Sequence, residues 1–481
     1  MKTSSEATKM NEKKQANFSI SGVKDGGVLT ESAQHVNPAE ETATLMFQMA
    51  PGMLMPFEYG GVKEEIAGYR DSAWIGTTLM ISPVVDIIGP DAVKFLNSIC
   101  VNDFSKLDFN GIRHAMICND KGQLLTDGVV LRIGDDRYRT YWLNPPIQYY
   151  AQTSGMDVTA EDMSGQEYFI QIDGERSLEI LEDAFGKDLH DIKFTKHRME
   201  DMDGRQVRVL RLGMSGNLAY EIHGPVADYD YVYRKVWESG QKFGARKLGM
   251  HAYNEFNHTE AGFPNIHLHY PLPWFESDEG LAQYLYANPM LGSYDINRKL
   301  TGSVGEDLES RFVTPYDVGW GFIVNFNHDF RGKEALEKIA EQPPRTVTTL
   351  EWNGEDVGKV FATMFTPEEE PCDDISKQND SPLSENSFNG WCEYRADKVF
   401  AGDTEIGITA GRIISYNYNS MISLGFIDPE FAKEGQEVEI LWGTPGTRQM
   451  KIRAKVARYP YNKDLVRNED RNTDDIPRLQ K

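Results

Sequence analysis

Between Val207 and Pro225 the chain reads VRVLRLGMSGNLAYEIHGP, two apolar stretches separated by a turn that carries Gly213 and Gly216. Val207, Val209 and Leu210 predict a buried strand, and the residues after the turn predict a second strand that ends at Glu221. That places one carboxylate at a strand end beside apolar neighbours. A half-buried carboxylate must receive hydrogen bonds to offset the hydration it loses. Two readings follow. Either a ligand with adjacent N–H donors meets Glu221, or Glu221 caps a hairpin at the surface.

The rest of the chain has to house this motif. At 481 residues it is too long for one ordinary core, so two to four structural units are expected. The net charge of −24 argues against a broad nucleic-acid face, which needs clustered Lys and Arg. No apolar run is long enough to span a bilayer, and MKTSSEATKMNEKKQANFS lacks a signal-peptide core. Cys100, Cys118, Cys372 and Cys392 form no C-x-x-C pair and no disulfide scaffold, which makes the cytoplasm the expected compartment. The sequence leaves the oligomeric state open.

Taken in order, residues 1–45 are polar and predict a flexible arm. VKEEIAGYRDSAWIG predicts a helix with Val62, Ile66 and Tyr69 on one face. PDAVKFLNSIC predicts another helix, and HAMICNDKGQLLTDGVVLRI a hairpin turning at Asn119–Gly122. Strands and helices in this mixed order predict α+β subdomains over 46–342. Within them a helical stretch is expected around Pro289–Arg311, and a β-rich run at the start of DVGWGFIVNFNHDFRGKEALEKIAEQ, which ends in a helix. After the linker at Pro343-Pro344, short strands with turn signals predict a β-barrel over 345–465. An acidic low-complexity insertion at 367–390 interrupts it, and a polar tail follows at 466–481.

Some residues carry candidate chemistry. His251, His258, His267 and His269 lie close together in sequence, with Glu260 among them. His267 and His269 form an H-x-H pair, which on a strand would share one face. Without a nearby cysteine or an H-E-x-x-H motif, a polar pocket wall is the better reading, and no metal is expected. Asp127 adjoins an apolar run, either at a pocket mouth or at an exposed hairpin end. Tyr253 and His258 are candidate proton donors, with core packing as the ordinary alternative for the tyrosine.

PFEYGGVKEEIAGYRDSAWIGTTLM, LNSICVNDFSKL, ICNDKGQLLTDGVVL, LRLGMSGNLAYEIHGP, DVGWGFIVNFNHDFRGKEAL and GFIDPEFAKEGQEVEILW occur in an order that resembles the folate-dependent aminomethyltransferase family of the glycine-cleavage T-protein. Within it the chain is most similar to tetrahydrofolate-dependent aryl O-demethylases of the vanillate and syringate type. The resemblance implies a three-domain α+β ring with a C-terminal β-barrel. It implies an enzyme that takes tetrahydrofolate and a small methyl donor as its partners and moves the methyl group to N5. Glu221 would then bind the pterin, with Asn119, Asp127 and Met214 lining the folate pocket. Tyr59, His114, Asn144 and Tyr253 would face the donor, and Tyr253, Asp127 and His258 would do the chemistry.

The chain also departs from the pattern. Met214 and His114 stand where T-proteins have tyrosines, and Asn144 stands where vanillate enzymes have an arginine. The Tyr253–Glu260 spacing is one residue longer. An amine, betaine or sulfonium donor, a non-catalytic folate binder and a metal-dependent hydrolase are the alternatives.

Overall fold

The computed structural model describes residues 23–24, 28–29, 42–50, 53–288, 298–376 and 392–478. Most of the expected arm, and the acidic insertion from residue 377 onward, lie outside the described residues. The chain divides into two interleaved units, one of residues 1–83, 163–254 and 465–481, the other of 84–162 and 255–464.

The first unit is built on a six-stranded sheet. Its order is His197–Met202, Arg205–Leu210, Ala219–Pro225, Glu167–Asp173, Trp74–Gly76 and Arg246–Leu248. Ile170, Ile172, Val207, Val209 and Ile222 are fully buried in it. The helix Tyr229–Lys242 buries Tyr229, Val232, Tyr233, Val236, Ser239 and Gly240, the 3-4-3 spacing of a single apolar face. It packs on the helix Ser177–Phe185. The predicted helix at residue 62 forms as two short pieces, Val62–Ile66 and Gly68–Asp71, with Val62, Ile66 and Tyr69 buried as expected.

Both strands predicted around the glycine turn exist. Glu221, however, is not at a strand end. It is the third residue of Ala219–Pro225, which has a neighbour on each side, pairing Glu221 with Leu210 and with Gln171. The turn between is set by sterics. A Cβ on Gly213 would lie 2.1 Å from Ala219 Cβ, and Gly216 has φ +76°.

The polar tail closes this unit. Buried Arg211 donates to Asn468 Oδ1 at 3.1 Å and to the carbonyls of Asn468 and Arg471, both at 2.7 Å. His190 Nε2 lies 3.1 Å from the Ile476 carbonyl oxygen.

The second unit contains a five-stranded sheet and a barrel. The sheet order is Thr159–Asp162, Val84–Ile88, Arg137–Tyr141, Leu124–Arg132 and Ile112–Cys118. The last two form the predicted hairpin. Asn119 Oδ1 accepts from the N–H groups of Lys121 and Gln123 across its turn, and Gly122 takes φ +80° there.

The C-terminal strands close into a six-stranded barrel, as expected. They are Thr346–Trp352, Ser420–Ile427, Thr404–Ser415, Asp397–Ala401, Glu437–Trp442 and Met450–Ala457. Leu350, Val399, Ile440, Trp442 and Ile452 fill its core.

Two expectations fail in this unit. The helical stretch around 289–311 is not found where the chain is described. There, Arg298–Thr301 is a strand paired with Cys392–Arg395, and only Glu309–Arg311 forms a 3₁₀ turn. The partner strand, distant in sequence, overrides local propensity. The β-rich run at 317–330 forms no strand either. Gly319 adopts φ +78° and Gly321–Ile323 a 3₁₀ turn, so Val324 and Phe326 pack singly on the core. The helix that follows, Lys333–Glu341, is as predicted.

Candidate active site

In the first unit two of the candidates, Glu221 and Tyr253, meet at one face of the sheet, beside Gln171, Asp173 and His223, which sequence reasoning does not single out. Gln171 and Glu221 sit directly opposite each other, and their same-face neighbours are Asp173 and His223. His223 Nε2 lies 3.1 Å from Glu221 Oε2. Gln171 Nε2 donates to the Tyr253 hydroxyl at 3.3 Å, and Gln171 Oε1 accepts from Thr78 at 3.0 Å. Burial pushes the Glu221 carboxyl up to about 8, against the lowering effect of a Gln171 hydrogen bond. Burial, and then the neighbouring Glu221, push Asp173 well above the carboxylate range. Burial likewise raises the Tyr253 phenol, so it holds its proton firmly. Burial disfavours the charged form of both carboxyls, and hydrogen-bond donors brought to them would favour it.

The other first-unit candidates are peripheral to this row. Met214 is half-buried in the glycine turn, and its backbone hydrogen-bonds Asp173. Tyr59 is half-buried, with Lys247 Nζ 5.4 Å from its ring centroid.

In the second unit Asp127 is not at a hairpin end. It lies inside the strand Leu124–Arg132, opposite Met116, and is buried. His114 is diagonal to it on the same face, with Nε2 3.0 Å from Asp127 Oδ2. Tyr270 donates its hydroxyl to Asp127 Oδ1 at 3.1 Å. Trp320 meets the His114 ring edge-on at 4.7 Å, and Phe263 lies 5.7 Å from it.

Asn144 is buried, and its Oδ1 has no hydrogen-bond partner among the described residues. Asn119 is committed to its turn and to Gln123 and Ser277, to which it donates at 2.8 Å each. His258 is buried, with its ring 6.2 Å from Phe263.

The histidine-rich segment does not act as a cluster. His251 belongs to the first unit and pairs with Glu58 at 2.6 Å. His267 and His269 lie in a tight turn closed by the Ile266–Tyr270 bridge, and not on a strand. His267 has φ +63°, which no strand residue adopts. The two rings take separate partners, Tyr394 at 2.7 Å for His267 and Thr259 at 3.2 Å for His269. Burial lowers them to about 4 and about 3. Glu260 accepts from Ser415 and Asn417.

Sequence reasoning missed Asn257. It is buried, and among the described residues neither end of its amide has a hydrogen-bond partner, a loss of about 1–3 kcal/mol per group unless a ligand or water supplies one. It closes the π-helical segment Ala252–Asn257. A π turn is how a helix absorbs one extra residue, and such turns recur at functional sites. The longer Tyr253–Glu260 spacing expected from the resemblance overlaps this segment.

Comparison with known proteins places the chain in a family. Residues 38–268 match the GCVT N-terminal domain. The chain is 50% identical to the sesamin methylene transferase of Sinomonas sp. over 88% of its own length and 94% of that protein. It is 30% identical to the syringate O-demethylase of Sphingobium sp. over 85% of itself and 91% of that protein. The glycine cleavage system aminomethyltransferase T of Bartonella henselae shares the fold, with a TM-score of 0.61 and 16% identity over 88% of this chain and 95% of that one. Among the described residues no helix is long and apolar enough to cross a membrane. The chain belongs to the folate-dependent aminomethyltransferase family, near its O-demethylases, and is an enzyme that uses tetrahydrofolate as its one-carbon acceptor.

Proposed function

We propose that the donor is an uncharged aryl ether, whose methyl group passes to N5 of tetrahydrofolate. The carbon–oxygen bond breaks, a carbon–nitrogen bond forms, and the N5 proton ends on the phenol oxygen. The observation that carries the donor class is Asn144. It is a buried amide with an unpartnered oxygen where a carboxylate-bearing donor would need a cationic clamp. Arg137 and Arg139, in the strand that precedes Asn144, are both bonded to Asp86. An amide suits a phenol hydroxyl.

Glu221 would hold the pterin, whose ring N–H and amino group can give it two parallel bonds. Their donation supplies what burial removed, so the carboxylate ionises as the ligand binds. Tyr253, with its firmly held proton, would orient an oxygen by hydrogen bonding without releasing the proton. Asn119 would position the pocket hairpin. Met214 and Tyr59 would border the folate and the donor.

A second reading comes from the 50% identity to a protein named for methylene transfer. The carbon unit would then be a methylene held between two oxygens, and both acceptor N–H protons would pass to the two phenols released.

The test is anaerobic incubation with tetrahydrofolate and 2-methoxyphenol, a methylenedioxybenzene or a methoxybenzoate, with folate products followed by mass spectrometry. We expect 5-methyltetrahydrofolate from the methoxyphenol and none from the benzoate. A 5,10-methylene product confined to the methylenedioxy donor selects the second reading. Product only from amine or sulfonium donors refutes both.

A further inference from the structure

We propose that His114 is a catalytic residue that carries the proton released at N5 to the departing aryl oxygen, with Asp127 and Tyr270 as its positioning residues. This rests on the aryl-ether reading above.

The starting point is the state of Asp127. Both of its oxygens already have partners within the chain, Oδ2 with His114 Nε2 at 3.0 Å and Oδ1 with the Tyr270 hydroxyl at 3.1 Å. A carboxylate held on both sides is poorly placed to meet reacting atoms itself. It is well placed to fix an imidazole.

The His114 side chain is 22% exposed, against 10% for Asp127, so the ring is the outer member of the pair. Its Nδ1 has no hydrogen-bond partner among the described residues. With Nε2–H donated to the carboxylate, Nδ1 carries the lone pair. That arrangement accepts a proton, is stabilised as imidazolium by the carboxylate behind it, and gives the proton up again.

Two aromatic side chains frame the ring. Trp320 packs at 84° to the imidazole plane and Phe263 at 42°. The His114 strand lies at the edge of the sheet, and Asn102 braces its free side. Asn102 Nδ2 donates to the His114 carbonyl at 2.7 Å, and its Oδ1 accepts from Met116 N–H at 3.3 Å.

The transfer needs no external acid. N5 gains a methyl group and loses one proton, and the aryl oxygen loses its methyl group and gains one. His114 takes the first proton at Nδ1 and delivers the same proton to the oxygen, returning to its starting tautomer. Tyr253 is unsuited to this role, because burial makes its proton hard to release.

The experiment compares wild type and His114→Gln on two donors, 2-methoxyphenol and its 5-nitro analogue, whose departing oxygen is acidic enough to leave without a proton. We expect turnover of 2-methoxyphenol to fall by ~100-fold or more, the ordinary range of general acid–base help. We expect the nitro donor to lose only a few-fold. An equal loss on both donors with an unchanged melting temperature overturns the relay, whereas wild type inert toward every aryl ether refutes the parent reading. If the glutamine variant does not fold, Asp127→Asn carries the same comparison. A second readout needs no turnover. Nitrogen-15 NMR of the histidine rings in the donor-free chain should show His114 protonated at Nε2, and a ring protonated at Nδ1 overturns the proposal.

Discussion

Glu221 and Asp127 are both carboxylates on interior strands, yet the chain treats them in opposite ways. Glu221 lies in the first unit beside a second buried carboxyl, and burial pushes its carboxyl up to about 8. Asp127 lies in the second unit with a histidine and a tyrosine already bonded to its oxygens. Under the proposed function Glu221, beside His223, Gln171 and a second buried acid, favours a ligand that brings further donors. Asp127 is supplied with donors and so acts on its neighbours. Two acids of similar burial can therefore divide binding from chemistry, and the difference lies in their partners.

The sharpest way to break that division is to neutralise each acid. Glu221→Gln should weaken tetrahydrofolate binding by at least ~100-fold, as expected for losing two charge-assisted bonds of about 1.5–3 kcal/mol each. Asp127→Asn should leave the folate Kd within a few-fold and lower kcat. Calorimetric titration of both variants reads the result, and equal losses of affinity would collapse the distinction.

The pH dependence of binding is the next largest effect. The free site holds Glu221 protonated below about pH 8, and the bound site needs it ionised. Binding therefore releases a proton below that pH, and affinity rises as pH rises until Glu221 ionises in the free protein. Between pH 6 and pH 8 the Kd should tighten by roughly 50-fold, following tenfold per pKa unit. The glutamine variant should show a flat profile. A wild-type profile that weakens with rising pH would contradict the assignment of Glu221.

How far the sequence shows this depends on the kind of information each site needs. The glycine turn, the alternation of the barrel strands and the Asn119–Gly122 hairpin are local patterns, and all are present in the structure. Glu221 stands out because its motif is contiguous. The His114–Asp127 pair is not contiguous. It exists only because the hairpin register sets Met116 opposite Asp127, and a slip of one residue would turn the two side chains to opposite faces. The tail is invisible for another reason. Arg211 is satisfied mostly by backbone carbonyls of Asn468 and Arg471, and carbonyls leave no mark in a sequence. The 298–301 strand and the irregular 317–330 run escape local patterns because distant pairing and a left-handed glycine decide them.

A smaller change sharpens the first-unit side of the comparison. The Gln171 hydrogen bond is the influence that lowers the Glu221 pKa. Gln171→Leu removes it, so Glu221 should ionise at higher pH and the binding profile should shift upward. At pH 7.5 the Kd should weaken by about tenfold, the effect of one pKa unit, and wild-type affinity should return as pH is raised further. A loss that stays constant at all pH values would mean Gln171 acts only by packing.

The smallest expected effect tests the second unit. Tyr270→Phe removes one of the two donors to Asp127 and leaves the His114 contact in place. The phenylalanine keeps the buried ring, so folding should survive with a loss of about 1–2 kcal/mol for the oxygen left short of a donor. Asp127 would then hold His114 from one side only, and kcat should fall by roughly 3–10-fold, with the dyad still intact to do general acid–base work. The folate Kd and its pH profile should not move, because both belong to Glu221. A shift in that profile would show that the two carboxylates titrate as one system and that the division between them is false.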